Sequence, residues 1–203
     1  MISHNTWVHR TVRFAVRPLA NTPVTPNHLT TVRLATGLGA AIAFSLGTPT
    51  GQMVGAGVLV LSLFLDRADG ELARLSGKMS PGGHLYDLVA DGTSNAAVFI
   101  GIGVGLWQAG NSPWVVLLGV FAGIAVAIAE LLVMRLDSAS VRSSADLGGR
   151  WGFDPDDGMF VVPIAMFLGW GNPLLVLAAI GGSMAAVVLL VLWFRRRENR
   201  VNG

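Results

Sequence analysis

The sequence predicts an all-α integral membrane protein: six transmembrane helices preceded by an N-terminal interfacial amphipathic helix, in a single membrane domain over residues 1–203. Three observations predict it. With 52% hydrophobic residues, 13% charged residues and a mean hydropathy of +0.60, the chain is too apolar and too sparsely charged for an ordinary soluble domain. Apolar runs recur at about 20 residues, the length that crosses a hydrocarbon core. All 14 Lys and Arg residues fall at or near one set of run ends, while the opposite loops at 47–51, 109–112 and 169–173 contain none. Under the positive-inside rule both termini, the 2–3 loop and the 4–5 loop are then cytoplasmic, which demands an even number of spans. The expected location is the cell (plasma or inner) membrane.

In chain order, residues 6–20 set Trp7, Val8, Val12, Ala15 and Val16 against Arg10, Arg13 and Arg17 at near-helical spacing. That is the pattern of a helix lying on an anionic surface. The three arginines and the lack of an A-x-A-like site speak against a cleaved signal. Pro26 opens the first span, 26–47, after Thr25, a cap residue. The second span, 52–74, is apolar in its first half and carries Asp66, Arg67, Asp69 and Glu71 in its last turns. A turn-rich stretch at 76–82 leads to the third span, 83–107, with Asp87 and Asp91 near its start. The fourth, 113–134, contains Glu130, read as a helix-end charge or a functional group. A polar loop carrying Arg135, Arg142 and Arg150 precedes the fifth span, 155–170, and the sixth, 172–194, stops at Arg195. Trp107, Trp114 and Trp170 flank the uncharged loops, where an aromatic belt places them. The absence of Cys fits a reducing side for the site.

Residues 66–91 organise the rest. Four carboxylates stand in sequence that otherwise reads as membrane-spanning, and an ionisable group there must face a cavity or a partner. Asp66 and Asp69 are i, i+3 and Asp87 and Asp91 are i, i+4, so each pair shares a helix face. Gly70, Ala73 and Gly83 keep those faces free of bulk, so that a helix or a phosphate chain can approach closely. Arg74 adds a fork suited to phosphate oxygens. All-oxygen ligation suits Mg²⁺ or Mn²⁺ and not zinc.

The string Asp66-x2-Asp69-Gly70-x2-Ala73-Arg74-x8-Gly83-x3-Asp87-x3-Asp91 resembles the signature of the CDP-alcohol phosphotransferase (phosphatidyltransferase) family, every fixed position and gap matching. In layout it is most similar to the phosphatidylinositol phosphate and phosphatidylglycerol phosphate synthases of that family. The resemblance implies transfer of a phosphatidyl or other substituted phosphoryl group from a CDP-linked donor, such as CDP-diacylglycerol, to the hydroxyl of a small polar alcohol, with release of CMP. It implies two Mg²⁺ (or Mn²⁺) ions. Asp66 and Asp87 would bridge both, Asp69 would complete one, and Asp91 would complete the other and act as general base. Donor contacts would come from Thr25, Pro26, Asn27, His28, Gly70, Ala73, Arg74, Ser80 and Gly83, with Arg33 within reach of the same end.

The acceptor stays open. Arg135, Arg142, Arg150 and Arg195 would suit a phosphorylated alcohol, or serve only the positive-inside bias. Asp154, Asp156 and Asp157 would favour a cationic or polyol acceptor, or cap a helix. The expected partners are the donor, the acceptor, membrane lipids and a second copy in a homodimer, with Gly37 and Ala41 or Gly101 and Gly105 as small residues that suit close contact either with that copy or within one chain; nucleic acid is not among them. A family member using a water-soluble CDP donor is the first alternative. An ion-coupled transporter is the second, disfavoured because all four carboxylates lie near one face.

Overall fold

The computed structural model describes the backbone of residues 7–139 and 155–201 and the side chains of 12–136 and 158–195. Every described element is helical: α1 (Trp7–Val16), a 3₁₀ turn (Arg17–Asn21), α2 (Pro26–Ser45), α3 (Pro49–Ser76), α4 (Pro81–Gln108), α5 (Trp114–Ala139), a second 3₁₀ turn (Pro155–Phe160), α6 (Val161–Phe167) and α7 (Gly171–Val201). Among them α3, α4, residues Trp114–Leu136 of α5 and residues Gly171–Arg195 of α7 make four helices long and apolar enough to cross a membrane. The run expected at 26–47 forms the 20-residue α2, with polar side chains through its first turns. The run expected at 155–170 is divided between the second 3₁₀ turn and α6, a helix of seven residues.

Local chemistry sets where the helices begin. Pro26, Pro49 and Pro81 open α2, α3 and α4, where a fixed φ helps and the missing N–H is not needed. The Thr25 N–H donates to His28 Nδ1 at 3.3 Å, and the hydroxyls of Thr48 and Ser80 each accept an N–H, from Gly51 and Gly83, at 3.0 Å. These caps satisfy donors that the first turn leaves open. Gly77, at φ +65°, ends α3 in the left-handed conformation that glycine adopts without strain. Four residues then suffice to reverse the chain into α4, so the two halves of the acidic motif are brought face to face.

In the packing, α2 lies against both α3 and α4, α5 against α4 and α7, and α1 and α6 against α3. Phe44, Leu59, Val98, Ile102 and Leu175 are fully buried between these helices. The backbones approach closely: a Cβ on Gly101 or Gly105 would collide with the carbonyl of Ala41 or Phe44, so α4 rests directly on α2. Gly37 in turn meets Ser94. Of the two readings of these small residues, contact with a second copy or packing within one chain, they serve the second here. Outward, Phe121, Ile124, Leu177 and Val187 are exposed, an apolar surface that suits lipid as the surrounding solvent.

Candidate active site

The site lies where the C-terminal turns of α3, the N-terminal turns of α4 and the first half of α2 meet. Asp66, Asp69 and Asp87 each place a carboxylate oxygen within 4.8 Å of the others. Asp69 is buried and accepts the Thr30 hydroxyl at 2.8 Å. Asp66 and Asp87 are half-buried beside it. Three carboxylates this close repel one another unless a cation stands among them.

Among the described residues, Arg33 reaches furthest into the cluster. Arg33, 2% exposed, sets Nε 3.3 Å from Asp66 Oδ1 and Nη1 3.5 Å from Asp87 Oδ1, and pairs Nη2 with Asp91. Its own carbonyl accepts the Ser62 hydroxyl at 2.9 Å, which pins this turn of α2 to α3. Arg67 flanks the cluster, with Nη1 3.8 Å from Asp66 Oδ2 and its guanidinium 5.2 Å from the centroid of the Phe160 ring. The sequence placed Arg33 only near the mouth. The signal that finds it is helical spacing: Pro26, Thr30, Arg33 and Gly37 share a face, and Thr30, Arg33 and Gly37 are the residues that α2 buries first.

The residues expected at the donor gather beside these carboxylates. A Cβ on Gly83 would stand 3.0 Å from Ser80 Oγ and 3.1 Å from Asn27 Oδ1, so Asn27, Ser80 and Gly83 lie together between the starts of α2 and α4. Thr25, Pro26 and His28 build the cap immediately before it, and Lys78 Nζ donates to the Thr22 carbonyl at 3.4 Å, tying the α3–α4 turn to that segment. Arg74 bends back over Gly70, where a Cβ would lie 3.7 Å from Nη2, with Ala73 half-buried alongside. Its Nε is 3.2 Å from Oε2 of Glu71, whose other oxygen pairs with Arg13 of α1. Sequence reasoning missed Glu71 as a partner, since nothing in the chain order joins it to a residue 58 positions away.

The acceptor candidates divide. Arg135 and Arg195 are exposed near the ends of α5 and α7, while Arg142, Arg150 and Asp154 lie outside the described residues. Asp156 and Asp157 fall in the second 3₁₀ turn, their side chains outside the described set. Gly92 faces Ala127 and Gly123 faces Ala96, an antiparallel register that brings Arg135 level with the first turn of α4. Glu130 is not a bare helix-end charge. Its Oε1 accepts from Asn95 Nδ2 at 2.6 Å, between α4 and α5 one turn beyond Asp91.

The carboxylates supply an all-oxygen donor set from two helices, which fits a hard divalent ion such as Mg²⁺ or Mn²⁺. Asp66, Asp69 and Asp87 would hold it, with Asp91 adjacent. Beside the unhindered faces of Gly70 and Gly83, such a site suits a pyrophosphate.

Part of the chain is 36% identical over 89 residues to archaetidylinositol phosphate synthase from Pyrococcus horikoshii, a match covering 44% of this chain and 46% of that protein; the match thus spans about half the length of that relative. The fold is similar to the crystal structure of Mycobacterium tuberculosis phosphatidylinositol phosphate synthase with CDP-DAG bound, at a TM-score of 0.63 and 19% identity over 93% of this chain and 92% of that one. The model of the CDP-alcohol phosphatidyltransferase family matches residues 23–195, from the cap of α2 to the end of α7. By that match, the chain belongs to the CDP-alcohol phosphatidyltransferase family.

Proposed function

We propose that this protein transfers a phosphatidyl group from CDP-diacylglycerol to the hydroxyl of a small polar alcohol, releasing CMP, as a step in phospholipid synthesis. The observation that carries it is the convergence of Asp66, Asp69 and Asp87 within 4.8 Å in a chain whose Asn27, Ser80 and Gly83 lie together at the starts of α2 and α4. The acceptor oxygen forms a bond to the lipid-side phosphorus, the bond from that phosphorus to the CMP oxygen breaks, and CMP leaves with the electron pair. The hydroxyl proton passes to Asp91. Two Mg²⁺ or Mn²⁺ ions, held by Asp66, Asp69, Asp87 and Asp91, would neutralise the pyrophosphate and favour loss of the alcohol proton. Arg74, laid over Gly70, holds the donor phosphates bidentately. Asn27, Ser80 and Gly83, with the Thr25–His28 cap, receive the nucleotide. Arg135, level with the first turn of α4, and Arg195 are the proposed contacts of a phosphorylated acceptor, together with Arg142 and Arg150.

The donor's acyl chains fit the apolar outer face, since the site sits at the ends of membrane-length helices and not between soluble layers. We take six spans, with α2 and the 155–167 segment as the two further crossings. α2 is 20 residues, about 30 Å at the helical rise, and its polar Thr30 and Arg33 are buried toward the acidic cluster. Gly182 of α7 lies against Ala125 and Val126 of α5, and Asn172 Nδ2 bonds Asn111 Oδ1 at 3.0 Å. α5 and α7 thus run the same way, and the chain between them must return across. Basic residues at one set of ends support cytoplasmic termini and a cytoplasmic site in the cell membrane. α1, with Phe14 83% exposed and Arg13 and Arg17 outward, suits the membrane surface. A homodimer follows from family membership alone, and cross-linking in nanodiscs that finds only monomer would remove it.

The test is purified protein with Mg²⁺, CDP-diacylglycerol and a panel of phosphorylated and free alcohols. CMP release with one of them is expected. Release only with a water-soluble CDP-alcohol would move the protein to the other donor class, and release with neither would overturn the reading.

A further inference from the structure

We propose that Arg33 is a resident cation of the acidic cluster, which holds Asp91 until a divalent ion displaces it, so that the two ions load in unequal steps. The first would settle on Asp66, Asp69 and Asp87; the second must take Asp91 from the guanidinium. The inference rests on the metal-dependent reading above and adds a residue that the acidic motif does not contain.

Geometry separates the two positions. The oxygens of Asp66, Asp69 and Asp87 converge on one another, whereas Asp91, one turn further along α4, is paired with Arg33 Nη2. The three guanidinium nitrogens each face a different carboxylate, Asp66 on α3 and Asp87 and Asp91 on α4. Only a planar fork can span two helices in this way; a lysine ammonium is a single point of charge. Arg33 also cannot leave easily. Its side chain is 3% exposed, its carbonyl is bonded by Ser62, and Gly37 one turn on is closed against Ser94. A displaced guanidinium therefore pivots within the pocket.

The electrostatics give the device a purpose. Without a cation, carboxylates from α3 and α4 would push the helices apart in a medium of low dielectric. Arg33 holds them together. It brings one positive charge to three carboxylates, enough to keep the cluster assembled and too little to neutralise it. The trio that includes Asp69, which Arg33 does not touch, retains the stronger pull on a dication. At Asp91 an incoming ion must compete with a charged hydrogen bond already made. A purely structural arginine would stabilise the metal-free and metal-loaded protein equally; a resident cation matters most when the ions are gone.

The experiment is Mn²⁺ binding by titration calorimetry, with thermal unfolding in EDTA and in saturating Mn²⁺, on wild type, Arg33→Gln, Arg33→Lys and Asp66→Asn, all purified with Mn²⁺ and then exchanged. Wild type should bind in two unequal steps. Arg33→Gln should tighten the weaker step by about tenfold or more, the worth of one charged hydrogen bond. Its unfolding midpoint should fall in EDTA and stay at the wild-type value in Mn²⁺. Arg33→Lys, which keeps the charge, should fall between. A wild type that takes one ion where Arg33→Gln takes two would be the same result in stronger form. An unchanged or weaker second step in both variants, or equal loss of both midpoints, would overturn the role of Arg33. Failure of wild type to bind any Mn²⁺ that Asp66→Asn removes would sink the metal reading itself.

Discussion

Within about two turns α3 carries two ionic clusters of opposite polarity. On the side facing α2 and α4, one guanidinium, that of Arg33, stands among the carboxylates of Asp66, Asp87 and Asp91. On the side facing α1, one carboxylate, that of Glu71, stands between the guanidinium groups of Arg13 and Arg74. Counting those partners, the first has three acids to one base and the second two bases to one acid. Each is left incompletely neutralised in the sense its proposed ligand requires: the first attracts a cation, the second an anionic phosphate. Burial differs in the same direction. Arg33 is enclosed, whereas the side chains of Arg13 and Arg74 are 53% and 48% exposed, so the second cluster opens outward to a donor while the first is sealed from lipid. A buried ion pair is weak evidence of stability, and the mismatch in charge is better read as preparation for binding.

The largest effect is expected where the mismatch is greatest. Asp66→Asn or Asp87→Asn should reduce CMP release below about 1% of wild type, a loss of roughly 3 kcal/mol or more in the barrier, with the protein still folded by size-exclusion chromatography. Retention of higher turnover would mean that neither carboxylate is shared between ions, and the comparison would lose its first half.

Glu71→Gln tests the second half. The substitution keeps the shape and removes the charge between Arg13 and Arg74. We expect stability to fall by about 1–2 kcal/mol, below the full worth of charged hydrogen bonds because both arginines reach solvent. For a chain of this length that is a few degrees in the unfolding midpoint. The donor KM should rise severalfold as Arg74 loses its hold over Gly70, and a midpoint loss with an unchanged donor KM would make Glu71 a clasp for α1 and nothing more.

How much of this was legible depends on the range of the interactions. The acidic motif was, because Asp66, Asp69, Asp87 and Asp91 repeat at helical spacing inside apolar sequence. So was the helix start at Pro26, since caps act within a few residues, whereas Pro81, read into the turn at 76–82, opens α4 two residues before the expected 83. Arg33 and Glu71 were harder. Their partners come from other helices, and an arginine in an apolar run reads equally as a topology signal. The 155–170 stretch failed as one continuous helix for a local reason: Pro155 and Gly158 favour a tight turn, and only Val161–Phe167 continues as α-helix.

A smaller and more selective effect should distinguish the two ends of the pocket. Arg74→Lys keeps a charge but loses the bidentate fork, and should raise the donor KM more than the acceptor KM. Arg135→Ala, on α5 level with the first turn of α4, should do the reverse if the acceptor is phosphorylated. Steady-state kinetics with each substrate varied in turn check both, and equal effects on the two constants would remove the division of labour.

The smallest effect concerns the edge of the acidic cluster. Arg67 lies 3.8 Å from Asp66 and 5.2 Å from the centroid of the Phe160 ring, and Phe160 also packs edge-on against Phe64 at 5.9 Å. The ring links the segment before α6 to the site, holding a second guanidinium beside a carboxylate that Arg33 already engages. Phe160→Leu preserves most of the apolar contact and removes the π face. A partly buried cation–π contact is worth about 0.5–1 kcal/mol, so the unfolding midpoint should drop by only a degree or two. The informative quantity is Mn²⁺ affinity. If Arg67 merely flanks Asp66, binding should not change; if the ring keeps Arg67 from swinging into the cluster as a second resident cation, Mn²⁺ should bind more weakly in Phe160→Leu, and restoring the aromatic with Phe160→Tyr should recover it. We expect the first outcome, since the 3.8 Å separation of Arg67 from Asp66 is longer than either measured contact that Arg33 makes, and weaker Mn²⁺ binding would show that the acidic cluster extends to α6.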